Sequence, residues 1–475
     1  MGREIELKLD LSEEAAGRFA RWDALPDRED VARLRAIYFD TPDGQLADKG
    51  LSLRIRQSGR RRIQTVKGEG SAGGGLFARQ EWERPVRSLT PVLDSKTPIA
   101  QALGEAAAQI EPLFETDVER MRWVLKEGEA QVEVALDRGA VRAGEREAPL
   151  CEVELELISG PPAALFAIAR RIDGAMPVRP GVLSKSERGY LLRESMKNAV
   201  KTEPIALDPS MPIGDAFVRI ASACLRHYRR NEALLLHHYE ERALHQARVA
   251  IRRLRSALTL FRPFLLESDV ARFQQELRWL AGMLGEARDL DVLNGRLADA
   301  AARETLADAR EQSHARVIEW INSARVRALL LDLAEWLALG AGCGGADTPI
   351  ADFAGARLQR LHKRVVNHGR KMKTLSPEAR HKVRKDAKKL RYGAEFFVGL
   401  YRDKKHERAR RTYVGALKGL QDELGDLNDL ATAPVLFARY DLAADTPLGL
   451  RSAKYLLKKA EKAHDRLAEA HPFWR

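Results

Sequence analysis

The sequence predicts an α+β protein in two parts, a β-rich half followed by an all-α half, on three observations. Residues 1–200 break into eight short candidate strands separated by turns. From about Asp208 to the end, apolar residues recur with a period near 3.6 and proline thins out. The helical half also repeats itself. His245-x-x-Arg248-x-x-x-Arg252-Arg253-x-Arg255 returns 136 residues later as His381-x-x-Arg384-x-x-x-Lys388-Lys389-x-Arg391. Leu284-Gly285-x-x-Arg288-Asp289-Leu290 returns 140 residues later as Leu424-Gly425-x-x-Asn428-Asp429-Leu430, and both read as turns. The expected layout is a first domain over residues 1–200, a linker over 201–212 and a helical domain over 213–475. The last would be a tandem duplication, with copies at about 213–345 and 346–475.

Candidate strands in the first half are Arg3–Leu9, Ala36–Phe39, Leu51–Gln57, Arg62–Lys67, Arg79–Pro85, Arg120–Lys126, Gln131–Asp137 and Cys151–Ile158. Helix-like stretches fall at Ser12–Trp22, Pro98–Ile110 and Ala163–Asp173. The glycine-rich run Gly68–Gly75 reads as a flexible loop between two strands, suited to a lid.

Charge is unevenly spread. Residues 1–200 carry 31 Lys and Arg against 33 Asp and Glu, and the remainder carries 49 against 35, so the second half alone has a net charge of +14. A polyanionic partner is therefore expected on the helical half. Three cysteines without a C-x-x-C pair disfavour a zinc site or a disulfide framework and suit a reducing compartment. No apolar run is long enough to cross a bilayer, so membrane attachment is not expected and the cytoplasm is the default location.

A strand's side-chain period is two, so Glu4, Glu6 and Lys8 share one face, as do Glu152, Glu154 and Glu156. The intervening strands offer Arg54 and Arg56, Lys67, Arg79 beside Glu81 and Glu83, and Arg120; Glu133 and Asp137 add acid. The opposite faces carry Ile5, Leu7, Leu53, Ile55, Trp82, Val134, Leu136, Val153 and Leu155. A solvated face normally mixes signs within each strand. Here three glutamates stand together and paired arginines stand elsewhere, which points to a closed or cupped sheet with its charges inward. Such an interior suits a short phosphate chain bound with Mg2+ or Mn2+, which prefer oxygen ligands. Residues 1–200 contain no histidine, which excludes a histidine base from this half.

Glu4-x-Glu6-x-Lys8 is similar to the E-x-E-x-K signature of the CYTH family, the triphosphate tunnel metalloenzymes. Supporting matches are Tyr38-Phe39-Asp40-Thr41-Pro42, Leu53-Arg54-Ile55-Arg56, Thr65-x-Lys67, Arg79-x-Glu81-x-Glu83, Phe114-x-Thr116-Asp117-x-x-Arg120, Glu133-x-Ala135-x-Asp137, Glu152–Glu156 and Leu183-Ser184-Lys185. The resemblance covers about residues 1–197. It implies an eight-stranded antiparallel β tunnel with flanking helices that encloses its substrate, and metal-dependent hydrolysis of a terminal phosphoanhydride. It further implies Glu4, Glu6, Glu152, Glu154 and Glu156 as metal ligands. Lys8, Arg54, Arg56, Lys67, Arg79, Arg120 and Lys185 would grip phosphate, with Glu4, Glu6, Lys8, Arg56 and Lys67 at the chemistry. Members of the family act on inorganic triphosphate, nucleoside triphosphates or thiamine triphosphate, or as adenylate cyclases. Phe77, Trp82 and Trp123 are the aromatics that could form a base pocket.

In the helical half, His245, Arg248, Arg252 and Arg255 fall within an arc of roughly 80° on one helix face. His381, Arg384, Lys388 and Arg391 repeat that stripe, and neither copy places an acid among the basic positions. Repulsion between like charges so spaced turns to attraction when an anion binds. This half resembles the CHAD domain over about residues 208–475. The resemblance implies two duplicated four-helix bundles with a basic groove for inorganic polyphosphate, to which Arg253 and Lys389 would also contribute. Asp289 and Asp429 are expected to orient arginines or cap helices. Arg357, Arg360, Lys363 and Arg364, or Lys404, Lys405, Arg408, Arg410 and Arg411, could extend the groove. Nucleic acid is disfavoured, because aromatic residues make up only 6% of the chain and no stacking platform accompanies the basic helices. The combined expectation is an inorganic triphosphatase fused to a polyphosphate-binding module, in the cytoplasm or on polyphosphate granules. The rival reading is a non-catalytic scaffold on such granules.

Overall fold

Alternating charge and apolarity builds a closed antiparallel barrel. In the computed structural model, which describes residues 3–68, 71–73, 75–194, 199–344, 348–401 and 404–474, the first unit contains ten strands. They are β1 (Arg3–Asp10), β2 (Asp30–Asp40), β3 (Ser52–Ser58), β4 (Arg61–Lys67), β5 (Ser71–Gly73), β6 (Leu76–Pro85), β7 (Glu111–Glu127), β8 (Ala130–Ala143), β9 (Arg146–Ser159) and β10 (Arg179–Pro180). Eight form the ring β1-β9-β8-β7-β2-β3-β4-β6, which the β6–β1 pairing closes; β5 and β10 are short additions. The eight expected strands are all present, and β2 and β7 run further than the sequence indicated. The glycine-rich segment is not simply a loop. Residues 71–73 pair with β6, whereas residues 69, 70 and 74 lie outside the described residues.

The barrel turns its apolar side outward. Leu7, Leu9, Val132, Val134, Leu136, Val153 and Leu155 form one outer core with Phe19, Leu165, Phe166, Ile168 and Ile172. The latter come from the helices Glu13–Phe19 and Ala163–Ala175, whose buried stripes cover that flank. A second outer core joins Phe39, Leu53, Ile55 and Val66 to Leu46, Ile99 and Leu103. With helices on its outside, the sheet is free to keep charges within.

The helix Ala324–Ala338 lies, by sequence, in the helical half, yet residues Ser323–Leu339 group with Met1–Lys197 in the first unit. Leu331 and Ala334 enter the first outer core, Arg327 pairs with Asp173 at 2.5 Å, and Arg170 pairs with Asp332 and Glu335 at 2.7 and 2.6 Å. Leu329, Leu330, Leu331, Leu333, Trp336 and Leu337 are all buried. A helix apolar on so many sides needs more neighbours than one stripe supplies.

The second unit, Asn198–Asn322 with Gly340–Arg475, is helical. Its first copy places Ile213–His237, Glu241–Phe261, Glu267–Met283 continuing as Gly285–Arg296, and Ala300–Thr305 continuing as Ala307–Asn322. Its second copy places Ile350–His368, Pro377–Phe396, Lys404–Arg439 and Ala453–Glu469. Antiparallel bridges join Pro212 to Pro349 and Leu297 to Leu448. Pro212 and Pro349 each cap the first helix of their copy. Of the two Leu-Gly motifs read as turns, only the first carries one. Leu284 is a break between two helices, and Leu424–Leu430 lies inside the unbroken helix Lys404–Arg439. Gly425 has open space where a Cβ would stand, whereas a Cβ at Gly285 would come within 3.3 Å of Arg248 Nη1.

Candidate active site and a basic groove

The inward faces of the ring enclose a cavity of about 440 Å3. Glu4, Glu6, Lys8, Arg54, Arg56, Lys67, Arg79, Arg120, Glu154, Glu156 and Lys185 all line it. Of the charged tunnel residues singled out from sequence, Asp137, fully buried and paired with Arg120 and Lys185, is missing from that wall, and so is Glu152. Glu152 is fully buried, lies 2.5 Å from Lys185 Nζ and 3.7 Å from Lys8 Nζ, and braces those lysines rather than facing the cavity. Sequence reasoning gave no role to Asp30, Tyr38, Arg61, Arg122, Ser184 and Ser186, which also line the space. Strand parity could have placed Tyr38, Arg61 and Arg122, whereas Asp30 lies in a part of β2 that the sequence did not mark. The serines sit on a helix that it did not find.

That helix, Lys185–Arg193, sets the polarity of the barrel. Ser184 begins it with a capping box, its Oγ accepting from the Glu187 N–H while the Glu187 carboxylate accepts from the Ser184 N–H. Its body packs against the strand ends where Tyr38, Phe114, Val118, Val141 and Leu150 form an apolar plug with Tyr190 and Leu192. The Tyr38 and Phe114 rings stack at 4.8 Å, and the Tyr190 hydroxyl donates to Asp40 at 2.7 Å. A Cβ on Gly189 would stand 2.0 Å from the Phe114 ring, so the approach requires glycine. Gly189→Ala is expected to cost about 1–3 kcal/mol of stability by overpacking, read from chemical denaturation.

Just inside the plug, cations and carboxylates interlock. Lys185 Nζ lies 2.6 Å from Asp137, 2.5 Å from Glu152 and 2.9 Å from Glu154. Lys8 donates to Glu154, and Arg120 forks onto Asp137 at 2.7 and 2.6 Å and also reaches Glu154. Burial opposes ionisation of Glu154, but Lys185, Lys8 and Arg120 outweigh it and hold the carboxyl well below its usual range. Burial likewise opposes charge on Lys8, and Glu154, Glu6 and Glu152 push its pKa up regardless. Asp137, Glu152 and Glu154 bring carboxylate oxygens within 4.8 Å of one another. Lys185 already stands among them, so this cluster is neutralised internally.

Toward the other end the balance shifts. Glu4 accepts from Lys67 at 2.8 Å and Glu6 from Arg79 at 2.7 Å. Glu156 has no ion-pair partner among the described residues. Burial, together with Glu4, Glu133 and Glu6, raises its pKa to about 7. Here the carboxylate short of positive charge is Glu156. The donors of this region, Glu4, Glu6 and Glu156 with Glu154 behind them, are hard oxygens that fit a divalent cation.

In the helical unit the stripes of Glu241–Phe261 and Pro377–Phe396 converge. Lys388 is lowered to about 7 by burial and by Arg384, Arg252, Arg391 and Arg248. His245 is lowered to about 4 by burial, then by Arg288, Arg252, Arg248 and Arg391. The Nε atoms of Arg248, Arg252, Arg384 and Arg391 are buried without a hydrogen-bond partner among the described residues. Asp289, Asp429 and Glu395 are acids near this group; Glu395 lies 3.3 Å from Arg391, and Asp429 lies 3.4 Å from Arg296. Other members fall elsewhere. Arg255 meets Gln274 at 3.3 Å, and exposed His381 meets Asn428 at 2.9 Å. Arg253 is not a groove residue, contrary to the sequence reading. It is buried, paired with Glu395 and packed over Phe396. Lys389 lines a separate pocket. The side chains of Lys404 and Lys405 lie outside the described residues.

Fold and charge arrangement thus define a tunnel-barrel protein with a basic helical module. Comparison with known families agrees. Residues 2–190 match the CYTH domain and residues 219–438 the CHAD domain, and the chain carries both, in that order. It is similar to the inorganic triphosphatase of Haemophilus influenzae, 32% identical over 202 residues, 40% of this chain and 55% of the relative. The chain therefore spans little more than half of that relative. An uncharacterized protein of Mycobacterium tuberculosis is 26% identical over 435 residues, 82% of each chain. Among solved structures, the CHAD domain of the plant Ricinus communis is similar at 29% identity, covering 58% of this chain and 93% of that one with a TM-score of 0.47.

Proposed function

We propose that the tunnel hydrolyses inorganic triphosphate to diphosphate and phosphate, and that the groove of the helical unit binds inorganic polyphosphate. The observation that carries the first part is the cavity in which Glu4, Glu6 and Glu156, the last unpaired among the described residues, stand together and face a ring of cations. Arg54, Arg56, Lys67 and Arg79 would take the phosphoryl oxygens, the last three exchanging their present carboxylate contacts for the substrate's charge. Lys8, Lys185 and Arg120, fixed by Glu154, Glu152 and Asp137, would hold the inner phosphate against the plug. These residues provide preorganised positive charge for the equatorial oxygens of the transferring group. Mg2+ or Mn2+ on Glu4, Glu6, Glu154 and Glu156 would lower the pKa of the attacking water and screen the phosphates. With no histidine in residues 1–200, the water's proton would pass to a wall carboxylate.

The cavity wall favours triphosphate over a nucleotide or thiamine ester. Tyr38 is its one aromatic residue among those described. Trp82 and Trp123 belong to the outer cores instead, and Phe77 sits against Lys8 and Arg79. A panel of inorganic triphosphate, ATP and thiamine triphosphate with Mg2+ and with Mn2+ tests the reading, with inorganic triphosphate expected to turn over fastest. No turnover of any of them would leave the scaffold reading. The described residues include no helix long and apolar enough to cross a membrane. We place the protein in the cytoplasm, on polyphosphate granules where these form.

For the groove, Arg252→Glu with Lys388→Glu is expected to abolish retention on immobilised polyphosphate, with far-UV circular dichroism as the control for folding. Its pH dependence follows from Lys388. A pKa of about 7 leaves the free amine largely neutral at pH 8, and a bound polyanion would raise it. Binding at pH 8 should therefore take up protons, and affinity should fall as pH rises above 7. Calorimetry in two buffers of different ionisation enthalpy reads the uptake, which Lys388→Arg should reduce. The same shift contributes to stability in the opposite sense. The unfolded chain holds more protons between pH 7 and 10.5, so that contribution grows with pH across the window.

A further inference from the structure

A second cluster of uncompensated cations in the helical unit is separate from the groove. Arg357, Arg360 and Arg364 stand on the helix Ile350–His368 at offsets 0, 3 and 7, the spacing of His245, Arg248 and Arg252. Together with Lys389 they line a cavity of about 160 Å3, floored by Leu260, Leu361 and Phe396. Ser256 and Thr259 supply hydroxyls at its edge. No acidic residue is among its described lining residues. Among the described residues none of the four cations has an ion-pair partner, and Arg357 meets only the Thr259 carbonyl, at 3.3 Å. Burial and the neighbouring Arg360 and Arg364 press the Arg357 guanidinium below its usual range. On the helix Pro377–Phe396, Lys389 is one position past Lys388, about 100° around the axis, and so faces away from the groove. The corresponding residue of the first copy, Arg253, is neutralised by Glu395.

We propose that this pocket is a discrete site for a compact phosphate oxyanion, either free pyrophosphate or the end of a phosphate chain. The arginines offer paired N–H donors to adjacent oxygens, and the lysine adds a point charge. The apolar floor and small volume exclude a long chain from lying through it. The inference does not depend on whether the groove binds polyphosphate.

The test follows acetylation of Lys389 in the full chain by peptide mass spectrometry, with inorganic pyrophosphate or with long-chain polyphosphate as the probe. Pyrophosphate is expected to slow Lys389 modification severalfold. Arg360→Gln with Arg364→Gln, both at exposed positions, should weaken that protection by at least about tenfold in pyrophosphate concentration. A groove variant, Arg252→Gln with Arg384→Gln, should keep it. If polyphosphate also protects and the groove variant removes only that protection, the pocket takes chain ends delivered along the groove. Protection by pyrophosphate alone assigns it to the free species. The proposal is overturned if neither probe slows modification of the wild type, or if protection persists undiminished in the Arg360 and Arg364 variant.

Discussion

Glu4→Gln is expected to lower metal-dependent turnover of inorganic triphosphate by about a hundredfold or more, with the fold intact. Glutamine keeps the shape of the side chain and removes the charge that would bind a divalent ion. Lys67, which now donates to Glu4 at 2.8 Å, would retain Glu81 at 3.4 Å, so no buried cation is stranded. The check is phosphate release measured across a Mg2+ and Mn2+ titration, alongside thermal unfolding. Part of the lost rate should return at high metal concentration if Glu4 acts as a ligand. Unchanged kinetics would remove Glu4 from the ion-binding wall and weaken the enzymatic reading of the tunnel.

Glu154→Ala should act on a different property. Lys8, Lys185 and Arg120 all converge on this carboxylate, and Lys8 and Lys185 are almost wholly buried. Truncation would leave buried positive charge short of its partner, at a cost of about 3–5 kcal/mol. Denaturation at pH 7 should show a loss of that size for Glu154→Ala and a much smaller one for Glu4→Gln. The wild-type pH profile follows from the same network. Glu154 and Asp137 titrate below their usual range, so the stability they contribute is present above their unfolded pKa values and is lost in acid. Lys8 and Lys185 titrate above theirs, so their contribution is complete below about pH 10.4 and is lost only as pH climbs further. A loss from Glu154→Ala no larger than that from Glu4→Gln would mean that water already screens the cluster.

The barrel was legible because a period of two leaves a clear trace. Glu4 and Glu6, Arg54 and Arg56, and Glu154 and Glu156 each alternate with buried aliphatics, and every one of these charges lines the cavity. The beginning of β2 was not legible, because Asp30–Arg35 puts charge on both faces and leaves every residue exposed or half-exposed, without a buried face to mark it. Glu152 shares the parity of Glu154, and parity cannot tell the open part of a barrel from its plugged end. The plug depends on Gly189 meeting Phe114, a contact between residues 75 positions apart. In the helical unit the repeated stripe was visible, but Arg253 and Lys389, equivalent in sequence, have opposite fates. A single glutamate, Glu395, buries one as an ion pair, while the other stands beside three arginines. The helix Ala324–Ala338 falls in the stretch read as helical, but its apolar surface did not disclose which core it would join.

The lysine carried by the plug helix also bears on how the protein matures. Its ammonium group serves the deepest carboxylates as a resident counter-ion, attached to the chain and present from the moment the helix docks. The barrel can therefore close before any metal arrives, and chelators should silence the tunnel without unmaking it.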